Sequence, residues 1–201
     1  MHALIRRLVN EELRSFVEAI IRPSDVPGTL TFWHGGDLDA TKDAFIFSKS
    51  RYEYGPGLYL TTSYALAKDY AKGNRKLYMV NVTEGKDISD SRLSEEAVKT
   101  FILGNVATSR RKDILQQVMK WSRGEEGISA EVFLNIMLNE SALKASSVHL
   151  LREFLVNSGV DYHITGNIRH NGDMMVLFNM KKIVNVTRVM SGDKIEVFDL
   201  K

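Results

Sequence analysis

Thr31–Ala71, TFWHGGDLDATKDAFIFSKSRYEYGPGLYLTTSYALAKDYA, decides how this 201-residue chain is read. A short apolar run, Leu30-Thr31-Phe32-Trp33, delivers His34-Gly35-Gly36. After a polar loop, Gly55-Pro56-Gly57 turns the chain into a second run, Leu58-Tyr59-Leu60. Apolar runs bounded by glycine and proline read as strands. Tyr64–Ala71 then reads as a helix with Ser63 as its N-cap, which fixes the helix start and so the direction of Tyr70. The glycines after His34 let bare backbone approach a flat ligand closely, because no Cβ stands in the way. Tyr59 and Tyr70 are expected to face one pocket, one from a strand and one from a helix.

Upstream, residues 3–21 carry Ile5, Leu8, Val9, Leu13, Phe16, Val17 and Ile20 at helical spacing, with charges between them. That pattern predicts an amphipathic surface helix, stopped by Pro23 and Pro27-Gly28. Glu11, Glu12 and Glu18 dilute its positive face and argue against a membrane-surface helix. Downstream, residues 76–82 (KLYMVNV) alternate as a strand closed by Glu84-Gly85-Lys86. Residues 92–157 change to threes-and-fours spacing, which predicts three or four short helices broken at Gly104, Gly124 and Gly127. Gly159 caps the last helix. Strands follow at Asp173–Phe178, Ile183–Val189 and Ile195–Leu200. Strands at both ends with helices between them predict an α+β fold in one domain.

Composition narrows the classes. Apolar residues at 44% and charged residues at 26% are those of an ordinary folded domain. A net charge of +2 is too small to argue for nucleic acid by itself. The chain has no cysteine, which excludes a disulfide framework, a thiolate metal site and a thiol nucleophile. No apolar run reaches the roughly 20 residues of a membrane span. Arg6, Arg7, Glu11, Glu12 and Arg14 interrupt any signal-peptide core. The expectation is a cytoplasmic protein with no membrane partner.

The residues that offer chemistry are His34 beside glycines, Tyr59 and Tyr70 around the Gly-Pro-Gly turn, and Asp173 at the mouth of an apolar strand. Each also has a plain structural reading. His34 suits a strand-end histidine bonded to backbone, the tyrosines suit half-buried core positions, and Asp173 beside Asn171-Gly172 suits a turn former. His2, His149, His163 and His170 have no metal-ligand spacing and read as surface or core residues. Arg110-Arg111-Lys112 reads as a solvated helix face.

Taken together and in order, these elements resemble the ADP-ribosyltransferases of the diphtheria toxin and poly(ADP-ribose) polymerase type, which use NAD through a His–Tyr–acid signature. Trp33-His34-Gly35-Gly36 resembles the strand that ends in His-Gly-Ser or His-Gly-Thr. Gly55–Leu60 is similar to the Gly-x-Gly-x-Tyr-Phe strand, and Ser63, Ala67 and Tyr70 are similar to the helix that follows it. Asp161-Tyr162, then Gly172–Phe178, resembles the late segment in which a catalytic Glu or Asp precedes an apolar strand. The likeness covers roughly residues 30–88 and 160–190, and four ordered elements are more specific than any one.

The resemblance implies split antiparallel sheets around an NAD cleft, with a core over roughly 30–88 and 160–201 and a helical insertion over roughly 90–158. It implies that His34 bonds the adenosine ribose, that the Gly35 backbone, with Gly36 beside it, holds the nicotinamide carboxamide, and that Tyr59 and Tyr70 sandwich the nicotinamide ring. Asp173 would serve the nicotinamide ribose, and no metal is required. The implied activity is mono-ADP-ribosyl transfer by a toxin or phage effector to a macromolecular acceptor, first of all a host protein. A nucleic-acid or small-molecule acceptor and an inactive NAD- or partner-binding module are the alternatives. The chain departs from the pattern at Gly36, where Ser or Thr is usual, and at Asp173, where Glu is commoner. It also carries Asn171 where arginine-modifying toxins carry Glu or Gln.

Overall fold

The computed structural model describes residues 28–36, 38, 54–71, 76–124, 126–140, 142–143, 147–167, 172–189 and 195–196. The expected helix over 3–21, Asn171, and all but the start of the strand expected at 195–200 lie outside them. In chain order the structure runs β1 (Thr29–Gly35), β2 (Leu58–Thr61), α1 (Tyr64–Tyr70) and β3 (Leu77–Thr83). A middle segment follows: β4 (Arg92–Leu93), α2 (Glu95–Asn105), α3 (Thr108–Trp121), β5 (Arg123–Gly124), β6 (Gly127–Ser129), α4 (Ala130–Asn139) and α5 (Val148–Asn157). The chain then returns through β7 (Tyr162–Asn167), β8 (Gly172–Leu177), a 3-10 turn at Met180–Lys182, β9 (Ile183–Val189) and β10 (Ile195–Glu196). The architecture is α+β, with strands from both ends of the chain in one sheet.

That sheet is antiparallel, seven-stranded, and ordered β10-β9-β3-β1-β2-β8-β7. Its seams are unequal. β1 pairs with β3 along its whole length, from Thr29↔Thr83 to Gly35↔Leu77. β2 pairs fully with β8, from Leu58↔Leu177 to Thr61↔Met174. Between β1 and β2 only Trp33↔Thr61 is in register. The sheet is thus pinched at its middle into two halves, β10-β9-β3-β1 and β2-β8-β7. Two separate sheets were expected; the two halves remain joined at this one pair.

Side-chain alternation assigns the faces. Phe32, Val80, Leu60, Leu58, Met175, Leu177 and Val186 form one buried cluster drawn from both halves. On the opposite face, Trp33 and Leu77 pack with Ala67, Ala71 and Tyr64 of the α1 region. Trp33 meets Tyr64 edge-on, with ring centroids 5.0 Å apart. Behind the second half, Tyr59 packs against the core of the middle segment, where Val176 and Phe178 join Phe133, Leu134, Leu151 and Leu155. The helices therefore back onto the sheet and keep its register, since slipping by one residue would exchange the side chains of the two buried faces.

Local signals account for the helix ends. Ser63 accepts from the Leu66 N–H, and Ser94 and Ser129 cap α2 and α4 in the same way. Gly159 has φ +83°, the left-handed residue that closes α5. Gly104 does not break a helix as expected. It lies in the last turn of α2, where its missing side chain would meet open space. Gly124 and Gly127 bound the β5–β6 pair, and with β4 these form a small second sheet, β4-β6-β5, which the helical spacing concealed. Arg110 and Arg111 are not merely a solvated face: Arg110 bonds the Glu140 carboxylate at 2.8 Å, and Arg111 donates to the Val106 carbonyl.

Asp161 ties the return strand to the rest. Its carboxylate accepts from the Lys86 N–H at 2.9 Å and from Asn179 Nδ2 at 2.7 Å, and it faces Lys182 Nζ at 3.3 Å. Burial pushes this carboxyl up, but those donors outweigh it and hold the group below the usual carboxylate range. A carboxyl depressed in the folded state contributes stability that is complete above its unfolded pKa and is lost as pH falls through the folded value. Asp161→Ala is therefore predicted to lower stability by about 2 kcal/mol near neutral pH. Urea titration at pH 7 and at acid pH checks this. The gap between native and variant should narrow in acid, and a gap independent of pH would contradict it.

Candidate functional site

The pinch between β1 and β2 holds the first of the expected residues. Across it, His34 Nδ1 lies 2.8 Å from the Tyr59 carbonyl oxygen. A carbonyl only accepts, so Nδ1 carries the proton and donates. In the neutral ring Nε2 is then the acceptor end, and it is buried. His34 also lies near Tyr78, with ring centroids 6.3 Å apart.

The two glycines after it do different work. Gly36 N–H donates to the Lys76 carbonyl, so the ladder toward β3 uses residues 36 and 34. By alternation the main-chain groups of Gly35 turn the other way, toward β2. Gly35 was expected to leave room for a ligand, yet what uses that room is α1. A Cβ there would stand 1.8 Å from the Ala67 carbonyl oxygen. Gly36 has φ +138°, which an L side chain rarely adopts, and a Cβ would stand 3.5 Å from His34 Nε2. The hydroxyl that the family pattern puts here would thus need both a changed backbone and space beside the imidazole.

Asp173 is held by its main chain and leaves its carboxylate exposed. Its carbonyl accepts from the Thr62 N–H at 3.0 Å and from Thr61 Oγ1 at 3.1 Å. Its own N–H donates to Thr62 Oγ1 at 2.9 Å. Thr61 and Thr62, unremarked in the sequence, thereby lock β8 to the corner where β2 becomes α1. Their signal was two hydroxyl residues directly between a strand and a helix cap. Across the strand pair Asp173 faces Gly166, whose bare Cα borders open space. By the pleat, His34 and Asp173 project from the same sheet face. Two strand spacings separate β1 from β8, about 10 Å.

The tyrosines occupy different surroundings. Tyr59 is half-buried against the helical core. Its hydroxyl donates to the Gly55 carbonyl at 3.0 Å and accepts from the Tyr54 N–H at 3.2 Å. Tyr70, the last residue of α1, is 68% exposed. So the His34 ring meets the Tyr59 carbonyl and Asp173 shares the His34 face, while the Tyr59 ring projects from the opposite face beside Val176. Tyr70 stands free at the helix end, one residue from the Ala71 amide that crowds Gly35. The Gly-Pro-Gly turn also proves to be a packing device. A Cβ at Gly55 would meet the Phe178 ring at 2.9 Å, and one at Gly57 would meet the Leu177 carbonyl oxygen at 2.5 Å.

Among the described residues, no group of three or more His, Asp or Glu is placed to hold a metal ion, and no helix is long and apolar enough to cross a membrane. Comparison with protein-family models, with curated proteins and with solved structures finds no match to this chain.

Substitution of the glycines separates their roles. Gly36→Ser is predicted to cost about 1–3 kcal/mol, the strain of a side chain at this φ. Gly35→Ala should cost more, since the α1 carbonyl cannot yield without the helix moving. Thermal unfolding of both variants checks the order, and a Gly35→Ala chain as stable as the native one would contradict it.

Proposed function

We propose that this chain cleaves the nicotinamide–ribose bond of NAD and transfers ADP-ribose to a macromolecular acceptor, a mono-ADP-ribosyltransferase in which the two halves of the pinched sheet form the family's NAD cleft. The observation that carries the reading is the locked pair at the pinch: an imidazole fixed by the β2 backbone, and an exposed carboxylate on the same face fixed by the β2–α1 corner. The ordered sequence likeness supplies the substrate.

In this reading His34 Nε2 accepts a hydroxyl of the adenosine ribose. The main-chain groups of Gly35, turned toward β2, take the carboxamide. The Tyr59 ring, which projects from the opposite sheet face, borders one side of the nicotinamide ring at the seam, and Tyr70, open to solvent in the free protein, closes over the other. Asp173 accepts from a nicotinamide-ribose hydroxyl. As the C–N bond breaks, the bonding pair leaves with nicotinamide and the ribose becomes cationic, as in glycoside hydrolysis. A carboxylate already in place stabilises that charge without reorganising, and more strongly once the ligand has excluded water. An acceptor nucleophile then forms the new bond at the anomeric carbon and gives up its proton.

Asp173 is one methylene shorter than Glu, so its reach depends on the strand position, which Thr61 and Thr62 hold. The acceptor is proposed to be a protein.

Nicotinamide release from NAD tests the reading. Asp173→Ala is predicted to slow it by about 100- to 1000-fold. Its melting temperature should barely change, because the bonds that hold residue 173 belong to the main chain. Equal release from variant and native chain would remove Asp173 from the mechanism. A mass spectrum of candidate acceptors after incubation with labelled NAD then distinguishes protein from nucleic acid.

A further inference from the structure

His163 on β7 is buried, only 7% exposed, and takes no part in the chemistry above. Tyr59, Val176 and His163 stand in one row across β2, β8 and β7, so all three project from the same face. The turn before β2 spans that row. His163 Nδ1 lies 3.3 Å from the Tyr54 carbonyl oxygen, and since that oxygen only accepts, Nδ1–H donates. Tyr54 in turn donates its N–H to the Tyr59 hydroxyl at 3.2 Å. On the far side of the ring, Nε2 lies 3.9 Å from Glu131 Oε1, in the first turn of α4.

A set of hydrogen bonds therefore runs from His163 through Tyr54 to Tyr59, whose carbonyl holds His34, and Glu131 of α4 lies just beyond its start. Packing confines the same turn. Gly55, at φ +121°, fits where a Cβ would meet Phe178 and Leu134. Sterics set how far the turn sits from β8, but they do not direct the Tyr54 amide at the Tyr59 hydroxyl. A hydrogen bond to the Tyr54 carbonyl holds the same residue from its other side and so narrows the directions its N–H can take.

We infer that His163 is a positioning residue for the NAD site: it holds Tyr54 by its carbonyl and, through the Tyr54 N–H, the Tyr59 ring, with Glu131 of the helical segment on its other side. This rests on the proposed reading of Tyr59 as a wall of the nicotinamide pocket. It gives the middle segment a role in substrate binding rather than a purely structural one. The effect falls on ground-state fit of the ring, so KM rather than kcat carries it.

Two variants and two readouts test it. His163→Leu keeps the volume and removes the donor; His163→Asn retains an N–H near the place of Nδ1. The leucine variant should raise KM for NAD about tenfold, the size of one lost hydrogen bond, with kcat nearly unchanged. The asparagine variant should restore KM to near its native value. Independently of NAD, hydrogen exchange of the Tyr54 amide should quicken in the leucine variant and not in the asparagine variant. Unchanged Tyr54 exchange in the leucine variant, or equal impairment by leucine and asparagine, overturns the inference. A native chain that releases no nicotinamide overturns the reading of the site instead, and the amide exchange still decides whether His163 orients the turn.

Discussion

The bond from His34 Nδ1 to the Tyr59 carbonyl is the interaction on which the site depends. It lies where the two halves of the sheet share one paired position, Trp33↔Thr61. A fully zipped β1–β2 ladder would consume the main-chain groups at this seam. A fully parted one would leave His34 unanchored and its tautomer unset. At the seam, one ladder pair and this side-chain bond join the halves and leave the strand ends beyond them apart. Gly36 lies on that side, where a Cβ would stand in contact with the buried Nε2.

Each half has its own support, so the seam can afford to be thin. α1 packs on the first half so tightly that only glycine fits at position 35. The middle segment packs on the second through Tyr59, Val176 and Phe178. Between them, one apolar cluster takes Phe32, Val80 and Val186 from the first half and Leu60, Met175 and Leu177 from the second. Asp173 is exposed, and Thr61 and Thr62 grip its backbone. Asp161 is the opposite case, a carboxylate whose donors brace the fold. The difference between these two aspartates is one of partners: side-chain bonds make one structural, and main-chain bonds leave the other available.

Much of this was legible in the chain. Period-two runs bounded by glycine gave β1, β2, β3, β8 and β9 to within a residue or two, and Ser63 was a readable cap because its hydroxyl has one nearby amide to satisfy. The α+β class followed from where those runs fall. Less visible were features that depend on neighbours distant in sequence. From Asp161 the chain reads as β, but β7 does not stand out as a separate strand because Tyr162–Gly166 mixes buried and exposed residues without clean alternation. Gly35 reads as a ligand contact until α1 is seen lying on it. Gly104 reads as a breaker, although a helix tolerates one glycine in its last turn. Thr61, Thr62 and His163 carry no motif, and their roles exist only through cross-strand partners.

The central claim is that the seam beside the His34–Tyr59 bond accepts a dinucleotide, with Asp173 at its reactive sugar. A crystal of the native chain soaked with NAD, or with nicotinamide and ADP-ribose, measures this directly. The account predicts density across the β1–β2 seam, with a ribose hydroxyl within hydrogen-bond distance of His34 Nε2 and the other ribose beside the Asp173 carboxylate. Density lodged elsewhere on the molecule, or a seam that stays empty at saturating ligand, would contradict it.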